Sequence, residues 1–334
     1  MEAASNEKVV YILGAGFSAQ FGLPVMSNFL EKSKDMYALR TSRFKGGDID
    51  FFASVYNEID TLRRCKDFYA SDMTNIEEIL SLFEMGKMLG SESKQQIDFQ
   101  NFIAEVIKYY TPTLEKMNEC SQKFQAINSF ILHIFGRSKE NIFSADSELP
   151  EYSVLTFNYD RLLENVLGNC RITKQGAYSY LKFLYDSLPE DRDHIPLIKL
   201  HGDVDAPQTI VTPTWKKAFE DSQAKNWQCA GKLLKKANHI RIIGYSLPIT
   251  DSYLKYFLKW GASQADNLKS IDVICLDDDH HSVEHRYRDF IHHKLNFYNK
   301  STNDYLLEIK NGIEKAHQHL FQKTQHSGVA YSFD

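Results

Sequence analysis

Residues 9–24 read VVYILGAGFSAQFGLP. The first five are apolar without interruption, and a short run of this kind ending at glycine reads as a strand buried on both faces of a parallel sheet. The chain then breaks into Gly14-Ala15-Gly16-Phe17-Ser18-Ala19, which fits the spacing G-x-G-x-x-G/A after a strand. Glycine at those places lets the backbone turn tightly and lets a diphosphate approach the amides. The start of the next helix adds partial positive charge. The same turn also occurs where no ligand binds. The acidic residue that usually follows about 20 positions on, at the end of a second strand, is missing. Asp35 has that spacing but sits in a helical context, which disfavours an ordinary dehydrogenase.

Working outward, strand-like runs recur at 153–157 (SVLTF), 196–200 (PLIKL), 209–211 (TIV), 239–243 (HIRII) and 271–276 (IDVICL). Helical patterns alternate with them, as in RLLENVL (161–167) and YLKYFLKW (253–260). Strand–helix alternation predicts an α/β fold with a doubly wound, mostly parallel sheet. Residues 36–150 break the rhythm. Ile49, Phe52, Val55, Ile59 and Leu62 fall at helical spacing, as do Phe99, Phe102, Ile103, Val106, Ile107 and Tyr110, and Phe124, Ile127, Phe130, Ile131 and Ile134. Thr74 with Glu77 reads as a capping box opening another helix. An all-helical module inserted after the first strand is expected. Leu306, Ile309, Ile313, Ala316 and Leu320 predict a C-terminal helix. The expected division is an α/β domain over 1–35 and 151–300, a helical insertion over 36–150, and a C-terminal helix and tail over 301–334.

The 334 residues are 43% hydrophobic and 25% charged, with a net charge of −5. Nothing in that balance points to nucleic acid or an anionic membrane as the main partner. No apolar run approaches the roughly 20 residues of a membrane span, and MEAASNEK lacks a signal-peptide pattern. Cys65, Cys120, Cys170, Cys229 and Cys275 are scattered and form no C-x-x-C pair, so neither a zinc knuckle nor a disulfide framework is expected. A reduced, cytoplasmic protein is the expectation.

Small or polar motifs follow five of the strand-like runs. They are the glycine loop, Asn158 with Asp160, His201-Gly202, Gly244 with Ser246, and Asp277-Asp278-Asp279. Each has a bland reading: Asn158 or Asp160 caps the helix that follows, and a lone histidine is usually structural. In a parallel sheet, however, strand C-termini share one edge, where ligands bind at the switch point. One cleft explains all five motifs together. A competing metal site at His280, His281 and His285 has helical spacing but suits a polar surface helix as well. No G-x-S-x-G elbow supports a serine triad.

In combination these motifs resemble the sirtuin-like family. The matching residues are Gly14-Ala15-Gly16-Phe17-Ser18, Gly22-Leu23-Pro24, Asn158-Tyr159-Asp160, His201-Gly202 and Gly244-Tyr245-Ser246, in the family's order. The resemblance implies a Rossmann-like domain that binds NAD and breaks its nicotinamide–ribose bond. It implies NAD contacts at Gly14, Ala15, Gly16, Ser18, Gly22, Asp160, Gly244 and Ser246, and chemistry at Asn158 and His201. Asp277 is the candidate for the adenine-side ribose. Protein-deacylating members carry four zinc-binding cysteines, which this chain lacks, and their glycine loop continues P-D-F-R where this chain has Pro24-Val25-Met26-Ser27. The closer likeness is to NAD hydrolases of bacterial antiviral defence, with no metal.

That likeness implies activation by self-assembly or by a partner such as a HerA-type ATPase, a prokaryotic Argonaute or a nucleotide-pyrophosphatase-like sensor. A homo-oligomer without direct nucleic-acid or membrane contact is expected. The alternatives are an NAD-dependent protein deacylase or ADP-ribosyltransferase, and a non-catalytic module that senses NAD or ADP-ribose.

Overall fold

The computed structural model describes residues 7–39, 50–63, 75–90, 94–118, 121–136, 150–173, 176, 178–189, 191, 193–211, 221–248, 251–265 and 267–311. In chain order the elements are β1 (Lys8–Leu13), α1 (Ala15–Ala19), α2 (Phe29–Leu39), α3 (Asp50–Arg63), α4 (Ile76–Met88), α5 (Lys94–Tyr110), α6 (Leu114–Asn118) and α7 (Gln122–Ile134). There follow β2 (Glu151–Thr156), α8 (Leu162–Thr173), β3 (Lys182–Leu184), β4 (His194–Lys199), α9 (Asp221–Lys235), β5 (His239–Ile243), α10 (Ser252–Gln264), β6 (Ser270–Cys275), α11 (Ser282–Arg288), β7 (Leu295–Asn299) and α12 (Thr302–Lys310).

The seven strands form one sheet in the order β3-β4-β2-β1-β5-β6-β7, and every neighbouring pair is parallel. Side chains alternate across a strand, so the sheet feeds two cores. Val9, Tyr11, Leu13, Val154, Leu197, Ile243 and Ile274 face one, with residues of α2 to α8 and α12. Val10, Ile12, Leu155, Ile198, Ile242 and Val273 face the other, with α9, α10 and α11. The helical stripes read between residues 52 and 134 bury into the first of these cores, with α7 against the sheet. Phe130 of α7 meets the Tyr11 ring edge-on at 5.1 Å and Phe17 at 5.8 Å. Each such buried aliphatic or aromatic side chain contributes about 1.5–3 kcal/mol.

Four local expectations need correction or completion. TIV is not a strand. Pro207–Thr209 forms one 3-10 turn, with Thr209 N–H donating to Ala206 O and Ile210 N–H to Pro207 O, and the apolar residues register burial of Ile210 and Val211. The edge strands β3 and β7 are additional. Asn75 caps α4, its Oδ1 accepting from the N–H groups of Glu77 and Glu78 at 2.9 and 3.2 Å; Thr74 lies outside the described residues. In α12, Leu306 and Ile309 are buried, while Ile313, Ala316 and Leu320 lie outside the described residues. So do Ile49, Cys65 and Cys120. No helix among the described residues is long and apolar enough to cross a membrane.

Candidate functional site

The strand order reverses between β1 and β5, because β2 lies on one side of β1 and β5 on the other. Two loops meet there. Gly14 N–H donates to Ile243 O at 3.0 Å and Gly16 N–H to Gly244 O at 2.8 Å. A Cβ on Gly14 would stand 2.6 Å from Tyr245 Cβ, and one on Gly16 2.8 Å from Gly244 O. Gly244 has φ +63°, and its Cβ would lie 2.2 Å from Phe17 N. The glycines are therefore required first for backbone-to-backbone closure. The amides of Gly14 and Gly16 are engaged by the last residue of β5 and the first residue after it rather than turned to a ligand.

Above this floor, at the C-terminal ends of the strands, opens a cleft of about 410 Å³. That falls within the roughly 300–1,000 Å³ usual for small-molecule sites. Ala15, Gly16 and Ser18 line it after β1, Asn158 and Asp160 after β2, His201 after β4, and Gly244 and Ser246 after β5. Gly14, Gly22 and Asp277 do not line it. Gly14 lies in the floor, and Gly22 (φ +97°) turns the chain while its carbonyl accepts from Lys32 Nζ at 2.7 Å. Asp277 caps α11. Its Oδ1 accepts from Val283 N–H and Asp278 N–H, and its Oδ2 from Glu284 N–H. Burial works against that carboxylate's charge, yet these amides hold its pKa below the ordinary value.

The rest of the wall includes residues to which the sequence assigned no contact: Pro24, Met26 and Ser27 in the turn before α2, and Asn75, Ile76 and Glu77 at the start of α4. Their approach to the sheet edge is a long-range contact without a local sequence signal. A larger hollow of about 540 Å³ lies at the opposite edge, lined by Lys8, Glu151 and His194 at the starts of their strands. It holds none of the motif residues.

The Asn158 amide is oriented by its neighbours. Its Nδ2 donates to Gly14 O at 3.0 Å and to Ser18 Oγ at 3.1 Å, which uses both amide hydrogens. Because Gly14 O is only an acceptor, the amide has a single sensible orientation. No group among the described residues donates to Asn158 Oδ1. The Ser18 hydroxyl hydrogen-bonds in turn to Asp160, which also accepts Leu162 N–H at 2.9 Å. Asp160 thus fixes Asn158 through Ser18 while capping α8. Burial raises the Asp160 pKa, against the opposing charge of Lys199.

His201 is 3% exposed. Its ring packs 4.9 Å from Phe157 and 6.2 Å from Tyr159. Gly202 follows at φ +98°, where a Cβ would stand 2.2 Å from Thr209 O. The loop is tied down by Val211 N–H to His201 O at 3.1 Å and by Gln100 Nε2 of α5 to Ile210 O at 2.6 Å.

Beneath both loops lies Lys199. Its Nζ donates to Asp160 O and pairs with Glu164 at 3.0 Å and Asp203 at 2.8 Å. Burial pulls the lysine pKa down, but the two carboxylates outweigh it and the net shift is upward. Removing one partner of a buried pair strands the other, at roughly 3–5 kcal/mol. Lys199→Met is therefore expected to lose about 3 kcal/mol in urea unfolding. Adding Glu164→Gln should recover part of that loss, and an unchanged midpoint in Lys199→Met would show the pairs to be idle.

Of the histidines considered for metal, His281 has φ +55° and contacts Glu284 at 3.6 Å. Asp277, His281 and Glu284 bring ligand atoms within 4.8 Å of one another at the surface. The amide bonds already made by Asp277 account for one of the three. Cys170, Cys229 and Cys275 are buried.

Residues 152–298 match the family model of the SIR2-like domain. Among solved structures, the chain is similar to Sir2Tm bound to a propionylated peptide (14% identity, 92% of this chain and 94% of that chain, TM-score 0.39). It is also similar to Sir2 in complex with the inhibitor EX-527, 2′-O-acetyl-ADP-ribose and a deacetylated p53 peptide (15% identity, 92% and 94% covered, TM-score 0.35). None of the curated proteins matches the sequence.

Proposed function

We propose, from the match of residues 152–298 to the family model of the SIR2-like domain, that the protein binds NAD in the cleft at the β1–β5 switch point and hydrolyses its nicotinamide–ribose bond. The observation that supports this reading is convergence. Loops distant in sequence, those of Ser18 and Asn158 by 140 residues, deliver Ser18, Asn158 and His201 to one cleft, with the Asn158 amide already oriented.

Cleavage of that bond builds positive charge on the ribose, as in glycoside cleavage. Nicotinamide departs neutral, so no acid is needed to release it. The reaction needs a hold on the sugar and a base for the nucleophile. Imidazole is the side chain suited to taking a proton near neutral pH, and His201 has that role. Asn158 Oδ1 accepts from the attacking water or a ribose hydroxyl. The pyrophosphate lies over Ala15 to Ser18, held chiefly by groups other than the amides of Gly14 and Gly16. In a deacylase an acyl-lysine carbonyl attacks; here water takes its place.

Uncontrolled NAD hydrolysis would harm the cell that makes the enzyme. We therefore assign the protein an effector role in antiviral defence, with activity released by self-assembly or by a partner protein. The outer side of α4 supports a docking role, since Leu82 and Met85, and Leu89 just beyond the helix, are 41%, 52% and 80% exposed.

Incubation with NAD and chromatographic separation of products tests the reading. Nicotinamide and ADP-ribose in equal amounts are expected. Product formation only with an acyl-lysine peptide would transfer the protein to the deacylases. Calorimetric binding of NAD with no nicotinamide released, partners included, would make it a sensor.

A further inference from the structure

His201 is the middle residue of the segment 199–203, and the two ends of that segment are joined. Lys199, the last residue of β4, pairs with Asp203 at 2.8 Å. The segment between them is not helical, since Gly202 has φ +98°. The pair therefore closes a loop around the imidazole-bearing residue. Two further ion pairs extend it. Glu164 of α8 meets Lys199 at 3.0 Å and Arg161 at 3.3 Å, and Arg161 meets Asp203 at 3.6 Å. Lys199, Glu164, Arg161 and Asp203 thus alternate in sign around a closed ring.

The ring also grips the segment that bears Asn158. Arg161 lies three residues beyond Asn158. Lys199 Nζ donates to Asp160 O, and Val204 N–H donates to Tyr159 O at 3.1 Å. The four ring residues stand behind the cleft, and none of them lines it. Lys199 and Glu164 are buried at the inner side, while the side chains of Asp203 and Arg161 are 20% and 32% exposed at the outer side. Buried ion pairs are poor sources of net stability, because desolvation offsets much of their attraction. What such a ring supplies is a defined geometry between the two segments that it joins.

We propose that this four-charge ring is a positioning device, which holds the His201 imidazole in register with the Asn158 amide, and that Asp203 and Arg161 are positioning residues for nicotinamide release. This rests on the reading of the cleft as an NAD site. Opening the ring frees the 199–203 segment to shift against the segment of Asn158. A misplacement of about 1 Å can cost about a hundredfold in rate. Binding of NAD is spared, because the ring does not touch the ligand.

Asp203→Asn is the sharpest probe. Asp203 Oδ1 accepts Asp205 N–H at 2.8 Å, and an asparagine accepts the same bond, so the charge goes while the turn stays. Rates are measured well below the melting midpoint of each variant, where loss of stability alone leaves kcat unchanged. In Asp203→Asn, kcat for nicotinamide release is expected to fall about ten- to hundredfold, with KM for NAD within about twofold of the wild type. Asp203→Glu should restore part of the rate. Arg161→Gln opens the outer side of the ring and should lose less. The double variant should be no slower than Asp203→Asn alone, because residues in one network are not additive. Asp205→Asn is the control. Asp205 pairs with Arg161 at 2.8 Å from outside the ring, so its loss should leave kcat at the wild-type value. A wild-type kcat in Asp203→Asn, an equal fall in Asp205→Asn, or a raised KM with kcat kept would overturn the role of the ring and leave the NAD site standing. A wild-type protein that releases no nicotinamide, with or without an acyl-lysine peptide, would remove both.

Discussion

His201→Ala keeps the fold and loses nicotinamide release. Loss of a general base costs about a hundredfold to ten-thousandfold in rate, so the variant is expected near the detection limit of a chromatographic assay. The ring is buried against Phe157 and Tyr159, and its removal opens a small cavity costing about 1–2 kcal/mol. A circular-dichroism melt will therefore show a modest shift and an intact fold. Asn158→Ala should fail in the same assay for a different reason. It deletes the Oδ1 acceptor and also releases Gly14 O and Ser18 Oγ. Asn158→Asp separates the two effects. It keeps the acceptor but removes the donors that hold the loop, and should bind NAD more weakly as well as turn it over more slowly. Wild-type rates in both alanine variants would refute the assignment of the chemistry to this cleft.

The second large effect concerns stability. At Gly244 an alanine must adopt φ +63° and place its Cβ 2.2 Å from a backbone nitrogen of the neighbouring loop. The left-handed conformation alone costs about 1–3 kcal/mol, and the clash is with backbone, which has no rotamer to change. Gly244→Ala is expected to lose 3 kcal/mol or more, roughly, and to melt about 5 °C lower or beyond. Gly22→Ala gives the contrast. It has positive φ but open space around it, so only the conformational cost of about 1 kcal/mol applies. Equal melting temperatures for the two variants would show that loop closure at the switch point is not as tight as its geometry implies.

The main strands were legible because a parallel sheet buried on both faces forces unbroken apolar runs, as in VVYIL and HIRII. The edge strands were not. LNFYN carries asparagines because Asn296 pairs with Asp272 at 2.8 Å and the strand is only half-buried. TIV misled because burial of Ile210 and Val211 imitates a strand, while Pro207 starts a single turn. Ser18, Asn158, Asp160, His201, Gly244 and Ser246 could be gathered from sequence since each follows a strand on one edge. Asp277 follows a strand too, but its carboxylate is drawn to the amides of α11. The contribution of α4 left no trace, because nothing local in TNIEE records which part of the sheet that helix will face. The glycine loop was legible as a turn, but its reason was only half visible: Gly14 and Gly16 accommodate a neighbouring strand's loop before any ligand.

The bond from Gly16 N–H to Gly244 O has a mechanical consequence. It rivets the turns after the two central strands into a single slab, with the segment bearing Asn158 fastened to the same piece through Gly14 O. Such a slab cannot part to admit a molecule without breaking the sheet's own closure. Whatever breathing the cavity needs belongs to its other side, at Met26, Ser27 and the start of α4, and a crosslink pinning that side to the sheet should slow ligand entry while leaving the chemical step intact.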